Sequence, residues 1–179
     1  MEPWFIATEK FGPQDGDGWL AYVEWSRLHQ ADEIVSLDRS LCTPILADFK
    51  DEYWPYVVNE DYMLNYFVDL KFLRSQISGL INSNLLCVYR NPLFEPESYH
   101  GEISFEMLGF DLIDVNGGNS ALTNCGGFPK AFSVSELSSK GLIATHARAL
   151  EIQTNLKRLY PDEHHANCDV WAISRAASV

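Results

Sequence analysis

The chain has 179 residues, 46% of them hydrophobic, which is enough for one domain with a substantial core. Its formal charge of −12, from 25 acidic and 13 basic residues, argues against a phosphate backbone as partner and so against nucleic-acid binding. No apolar run approaches the roughly 20 residues of a membrane-spanning helix, so no membrane partner is expected.

The acidity is not confined to a tail. Residues 1–90 carry 14 acids and 7 bases, and residues 91–179 carry 11 and 6. Such a surface would attract a basic protein, although an ordinary acidic cytoplasmic protein looks the same. The opening MEPWFIATEKFG has an early acid and no basic region followed by an apolar core, so a cytoplasmic location is expected. The four cysteines are widely spaced and form no CxxC pair or zinc-finger pattern. Cys87, inside LLCVY, and Cys168, before DVWAI, read as small buried hydrophobes.

Trp4 to Ala7 reads as a short edge strand, and Gly12 to Gly18 as a polar loop. A helix is expected from Asp17 or Gly18, with Trp19, Tyr22, Val23 and Ser26 on one face, chiefly for core packing. Ile34 to Leu37 is a short apolar segment, helix-terminal or a brief strand. Pro44 marks a break after Cys42 and Thr43. The stretch that follows sets Asp48, Asp51, Glu52, Glu60 and Asp61 around Tyr53, Trp54 and Tyr56. Acids steer a basic protein and aromatics supply contact area, which makes these eight residues a candidate protein-binding surface. The plainer reading is a solvated acidic rim around buried rings.

Met63, Phe67, Leu70, Leu73 and Ile77 recur at helical separations, with Tyr66 alongside. Glu60 and Asp61 favour a start there, and Gly79 an end. Leu85 to Tyr89 predicts a strand, ended by Arg90-Asn91-Pro92, and residues 91–101 a loop. Phe105 to Val115 predicts a long strand in which Gly109 allows a bulge or a close neighbour. Asn116-Gly117-Gly118-Asn119 is a tight-turn sequence, and Ser120 to Cys125 is expected to return as the second strand of a hairpin. Ser133 and Glu136 have capping-box spacing, in a helix that Gly141 cuts short. A longer helix is expected from about Leu142 to Pro161, with Leu142, Ala149, Ile152, Leu156 and Leu159 as its apolar stripe, Thr145 filling the gap, and Arg148, Lys157 and Arg158 toward solvent. Val170 to Ser174 reads as a terminal strand, with Trp171 in the core or at an interface. The fold class these elements define is α+β: a mainly antiparallel sheet packed by amphipathic helices, in a single compact domain over residues 1–179 with room for an N-terminal extension.

Chemistry has fewer footholds. Cys125 sits in Thr-Asn-Cys-Gly-Gly, where a flexible backbone can turn amides toward an oxyanion. A cysteine-dependent hydrolase would need a base, His165 or else His146 or His164, and an orienting acid such as Asp111 or Asp114. Spacing encodes none of these contacts, and a structural cysteine explains the residue as well. His164, His165 and Cys168 offer three metal donors, short of a zinc site without further ligands. No cofactor is implied. Opposed carboxylates for glycoside hydrolysis cannot be assigned from acidic count alone.

The stretches EWSRLHQADEIVSLD, EYWPYVVNEDY, LLCVYRNP, LGFDLIDV, SALTNCGGFP and HANCDVWAI together resemble a family of uncharacterised bacterial proteins, over most of the chain. The resemblance implies a single domain and carries over no catalytic or binding residue. The expected role is that of a protein-binding domain, antitoxin-like or immunity-like, that masks a basic partner. The cysteine hydrolase is the alternative from another class. A third reading is a self-associating homo-oligomer that uses Trp4, Trp19 or the terminal strand.

Overall fold

The structure, a computed structural model, describes residues 2–41, 50–58, 66–80, 82–116 and 118–177. Asp48, Glu60, Asp61, Cys42 and Met63 lie outside the described residues. The described elements are β1 (Trp4–Glu9), α1 (Asp17–Ser26), β2 (Val57–Val58), β3 (Tyr66–Phe67), α2 (Leu70–Ile77), β4 (Ser83–Arg90), β5 (Phe105–Asp114), α3 (His146–Leu159) and β6 (Cys168–Ala176). The strands form one antiparallel sheet in the order β2-β3-β1-β4-β6-β5. The fold is therefore α+β, a mainly antiparallel sheet packed by amphipathic helices.

Strand alternation sorts the core into two faces. Phe5, Ala7, Leu85, Cys87, Val170 and Ala172 point to the side covered by α2, through Leu70, Leu73 and Ile77, and by α3, through Ala149, Ile152 and Leu156. Ile6, Leu86, Val88, Trp171 and Ile173 point to the other side, where Val35, Leu37, Tyr66 and Leu142 cover them. Trp171 stacks on Tyr66 at 4.6 Å, and Trp4 joins both rings. Residues 33–37 are thus buried although irregular. Glu33 anchors the segment: its carboxylate takes Arg175 Nη1 at 2.6 Å and Asn84 Nδ2 at 2.6 Å, with Lys140 Nζ 3.6 Å away. Helix α1 packs beyond the sheet, with Trp19 and Tyr22 against Phe11 and Ile34.

Several expectations are corrected by this arrangement. β1 is an interior strand, hydrogen-bonded to β3 and β4, because both of its faces are apolar. Tyr66 and Phe67 belong to β3 rather than to a helix; α2 starts only at Leu70, where the Asp69 side chain accepts the Phe72 amide at 2.7 Å. Leu142 is buried on the opposite face of the sheet, and α3 starts at His146 with Thr145 as its cap rather than as part of its stripe. Leu159 is exposed, outside that stripe. Arg148 does not run free into solvent, because it pairs with Glu136 and, at 2.8 Å, with Glu151. The terminal strand β6 lies between β4 and β5 and Trp19 is buried, so neither serves as a free face for self-association.

The Gly109 bulge in β5 reverses side-chain parity along the strand. Met107 opposes Ser174 while Gly109 opposes Ile173, leaving Leu108 as the extra residue. Phe105, Phe110 and Leu112 consequently share the helix-covered face, and Asp111 turns toward residues 33–41. The turn after β5 forms, with the Asp114 amide donating to Asn119 O at 2.9 Å. The expected return strand does not: only Ser120 makes a bridge, to Ile113, and residues 121–126 are successive turns and bends.

Candidate functional site

The acidic-aromatic stretch is built on a 3-10 turn, Asp51–Tyr56, that leads directly into the edge strand β2. Tyr56 stacks on Phe72 of α2 at 4.6 Å and Tyr53 tilts against the same ring at 5.1 Å. Two of the turn's rings are thereby tied to the helix. Trp54, between them, is 51% exposed and Tyr56 37% exposed, next to the exposed carboxylates of Asp51 and Glu52. Lys50 tempers the charge, lying 4.0 Å from Glu52 and 5.8 Å over the Tyr53 ring. Asp51, Glu52, Trp54 and Tyr56 are thus exposed together, while Tyr53 is half-buried.

Sequence reading did not identify Phe72 as the platform under this turn. It also passed over Leu93 and Phe94, which project from the loop after β4 beside Glu95 and Glu97; Leu93 is 86% exposed. That loop borders a groove of about 470 Å³ together with Tyr89 and Tyr99. Tyr99 and Phe72 pack against the same core cluster, which places both stretches on the helix-covered side of the sheet.

The residues considered for catalysis have different surroundings. Asp111 is fully buried and accepts four hydrogen bonds: from Ser36 Oγ at 2.9 Å, the Leu37 amide at 3.2 Å, the Leu112 amide at 2.8 Å and Ser120 Oγ at 2.5 Å. Burial pushes its carboxyl up to about 6, against the opposing pull of the Ser120, Leu37 and Ser36 bonds. Its partners are thus serines and amides that tie residues 36–37 and 120 to β5. Cys125 is exposed, and its thiol contacts the Thr123 carbonyl at 3.6 Å. Partial burial raises the thiol above its ordinary value, which disfavours a thiolate. It borders a cavity of about 240 Å³ whose other lining residues are Phe11, Gly18, Tyr22, Ser36, Asp38, Arg39 and Thr123, with no histidine among them.

His165 packs on Phe128, ring centres 5.0 Å apart, and burial holds its imidazole below the usual value despite Asp114 and Glu163. His146 opens α3 with its ring 5.5 Å from Phe110. His164 is exposed in the turn before β6, and Cys168 is buried, its thiol pushed up to about 12. Among the described residues no group of three or more His, Cys, Asp or Glu side chains is placed to hold a metal ion, so His164, His165 and Cys168 do not converge as the metal alternative required. Residues so close in sequence diverge here because one lies in a turn and another points into the core at the start of a strand. Phe11, Ser36, Asp38, Arg39 and Thr123 are the cavity residues that sequence reading did not single out; they come from three separate segments.

Fold and surface define a single-sheet α+β protein with an acidic-aromatic turn at one sheet edge. No protein-family model matches the chain, and neither a curated protein nor a solved structure shows significant similarity to it. Among the described residues, no helix is long and apolar enough to cross a membrane.

Proposed function

We propose that the protein is a protein-binding domain, antitoxin-like or immunity-like in role, whose Asp51–Tyr56 turn engages a basic protein. The observation that carries this reading is Trp54, half exposed on a turn whose flanking tyrosines are held against Phe72. A large ring presented from a pre-ordered turn costs little conformational entropy to dock, and aromatic anchors dominate binding energy. Asp51 and Glu52 beside it, on a chain of net charge −12, favour a basic surface on the partner. Leu93, Phe94, Glu95 and Glu97 offer a second stretch of the same chemistry on the same side of the sheet.

The cysteine-hydrolase alternative has less support. Partial burial raises the Cys125 thiol above its ordinary value, and the cavity it borders has no histidine in its lining.

Parallel affinity capture from the native cell tests the proposal, with the wild-type chain and the triple variant Asp51→Lys, Glu52→Lys, Trp54→Ala as baits. The expected outcome is one basic protein retained in stoichiometric amount by the wild type and reduced at least tenfold by the variant; loss of Trp54 alone should cost about 2 kcal/mol. Stoichiometric capture that the variant leaves intact, or none under conditions that preserve complexes, overturns it.

A further inference from the structure

The groove of about 470 Å³ beside the loop after β4 is separate from the Asp51–Tyr56 turn and is lined by Tyr89, Pro92 and residues 94–100. Two of its rings are held from behind. Tyr89, near the end of β4, packs against both helix-side core clusters, the one under α2 and the one under α3, so the groove lies at the seam between them. Tyr99 meets Phe5 and Phe105 edge-on at 5.7 and 5.8 Å, and its carbonyl accepts the Phe105 amide at 3.0 Å. Pro92 and Pro96 restrict the backbone of the loop between them.

The rim is apolar and acidic at once. Leu93, 86% exposed, and Phe94, 70% exposed, are neighbours in the chain and the most exposed large hydrophobic residues among those described. Glu95 and Glu97 beside them are exposed and form no ion pair with a base among the described residues. The described lining includes no lysine or arginine, and His100 is its one basic residue.

Charge selects the occupant. A second copy seated on this face would bring the Glu95 and Glu97 carboxylates of both copies together, and a membrane or a nucleic acid would present further negative charge. A cation fits. Of the protein cations, guanidinium suits tyrosine and glutamate best: it is weakly hydrated, stacks on aromatic faces and pairs with a carboxylate through two N–H groups. Leu93 extends the apolar surface past the lining, so the cation should arrive with an aliphatic neighbour.

We propose that this groove binds an extended segment of a partner protein in which an arginine stands next to an aliphatic residue. The arginine side chain lies among Tyr89, Phe94 and Tyr99 and pairs with Glu95 or Glu97, and the aliphatic neighbour covers Leu93.

Calorimetric titration of the full chain with the blocked peptide acetyl-Gly-Leu-Arg-Leu-Gly-amide tests the assignment, with citrulline or lysine in place of the arginine as controls. The arginine peptide should bind saturably with Kd at or below about 100 μM, the citrulline peptide at least tenfold more weakly and the lysine peptide severalfold more weakly. The double variant Glu95→Gln, Glu97→Gln should weaken binding at least fivefold. Phe94→Ala, at a side chain mostly in solvent, should weaken it severalfold without lowering the melting temperature. The double variant Asp51→Asn, Glu52→Gln removes the same charge elsewhere and should leave the affinity within twofold. The assignment is overturned if the arginine peptide does not bind below about 1 mM, if the citrulline or lysine peptide binds as tightly, or if the Asp51, Glu52 variant weakens binding as much as the Glu95, Glu97 variant. The last result would leave the Asp51–Tyr56 proposal standing, so the two readings fail separately.

Discussion

A carboxylate removed from water keeps its proton to higher pH than one at the surface, and Asp111 is the clearest example in this chain. Its folded-state value of about 6 lies above the ordinary 3.8 because burial outweighs four hydrogen bonds. Between those two values the folded chain binds more protons than the unfolded one, so the Asp111 contribution to stability is full below about pH 4 and is lost as pH rises through about 6. Two units correspond to roughly 2–3 kcal/mol at 1.36 kcal/mol per unit. Asp32 and Glu136, lowered by Lys140 and Arg148 respectively, act in the opposite sense, because their stabilisation is lost as pH falls. A comparison of wild type with Asp111→Asn isolates the first effect. Urea unfolding of both should show the wild-type advantage shrinking by about 2–3 kcal/mol from pH 4 to pH 7. A difference that stays constant over this range means that the Asp111 carboxyl is not shifted. The burial was not legible in the sequence, where Asp111 stood out only as an orienting acid for a Cys125 hydrolase. Its burial depends on the bulge at Gly109, which turns it toward Ser36, 75 positions earlier in the chain.

The bulge itself was anticipated, and it fixes how β5 meets its neighbours. Gly109 has φ +144, and a Cβ there would sit 2.7 Å from the Ile143 carbonyl oxygen and 3.0 Å from Leu142 Cβ. Gly109→Ala should therefore destabilise by about 2–3 kcal/mol, from backbone strain plus the clash. It should also speed exchange of the Phe110 and Ile143 amides, which bond to each other's carbonyls at 2.8 and 3.0 Å. Gly79→Ala, with nothing within 4 Å of the new atom, should stay within about 0.5 kcal/mol of wild type. Equal effects at the two glycines would show that the close approach at Gly109 is relieved at no cost. Elsewhere apolar periodicity located elements better than it bounded them. The strand β4 and the turn after β5 were readable locally. The starts of α2 and α3 were not, because Tyr66, Phe67 and Leu142 continue an apolar pattern that the caps Asp69 and Thr145 interrupt. The missing return strand has a similar cause. Ser120 spends its hydroxyl on Asp111 and the Leu122 amide, which bends the chain away after a single bridge to β5. The acids and rings of Asp51–Tyr56 could be picked out together because they are contiguous. The cavity beside Cys125 could not, because helix, turn and loop meet only in the folded chain.

Charge acts on the molecule as a whole, and here two opposite tendencies compete. Ion pairs favour the folded state: Arg175 with Glu33, Arg90 with Asp169, Lys140 with Asp32 and Arg148 with Glu136 all stand within about 3 Å. Pairs near the surface contribute about 0–1 kcal/mol each, and salt screens them. Against them stand the acids left over once every base is paired, twelve by net charge, whose mutual repulsion is relieved when the chain unfolds and expands. The tightest pairs are also partly buried, which protects them from screening, whereas Asp51, Glu52, Glu95 and Asp162 are exposed and unshielded from bulk ions. Repulsion should then be the more salt-sensitive of the two. Raising NaCl from about 10 to about 150 mM shortens the Debye length from about 30 to 8 Å. If this recovers roughly 1 kcal/mol, the melting temperature should rise by about 2–4 °C for a chain of this length. The same salt should weaken capture of a basic partner, because there the charges attract across the interface. Stability and binding should therefore respond to NaCl with opposite signs. A melting temperature that falls with salt would mean that the ion pairs, rather than the excess of acid, govern the stability of the fold.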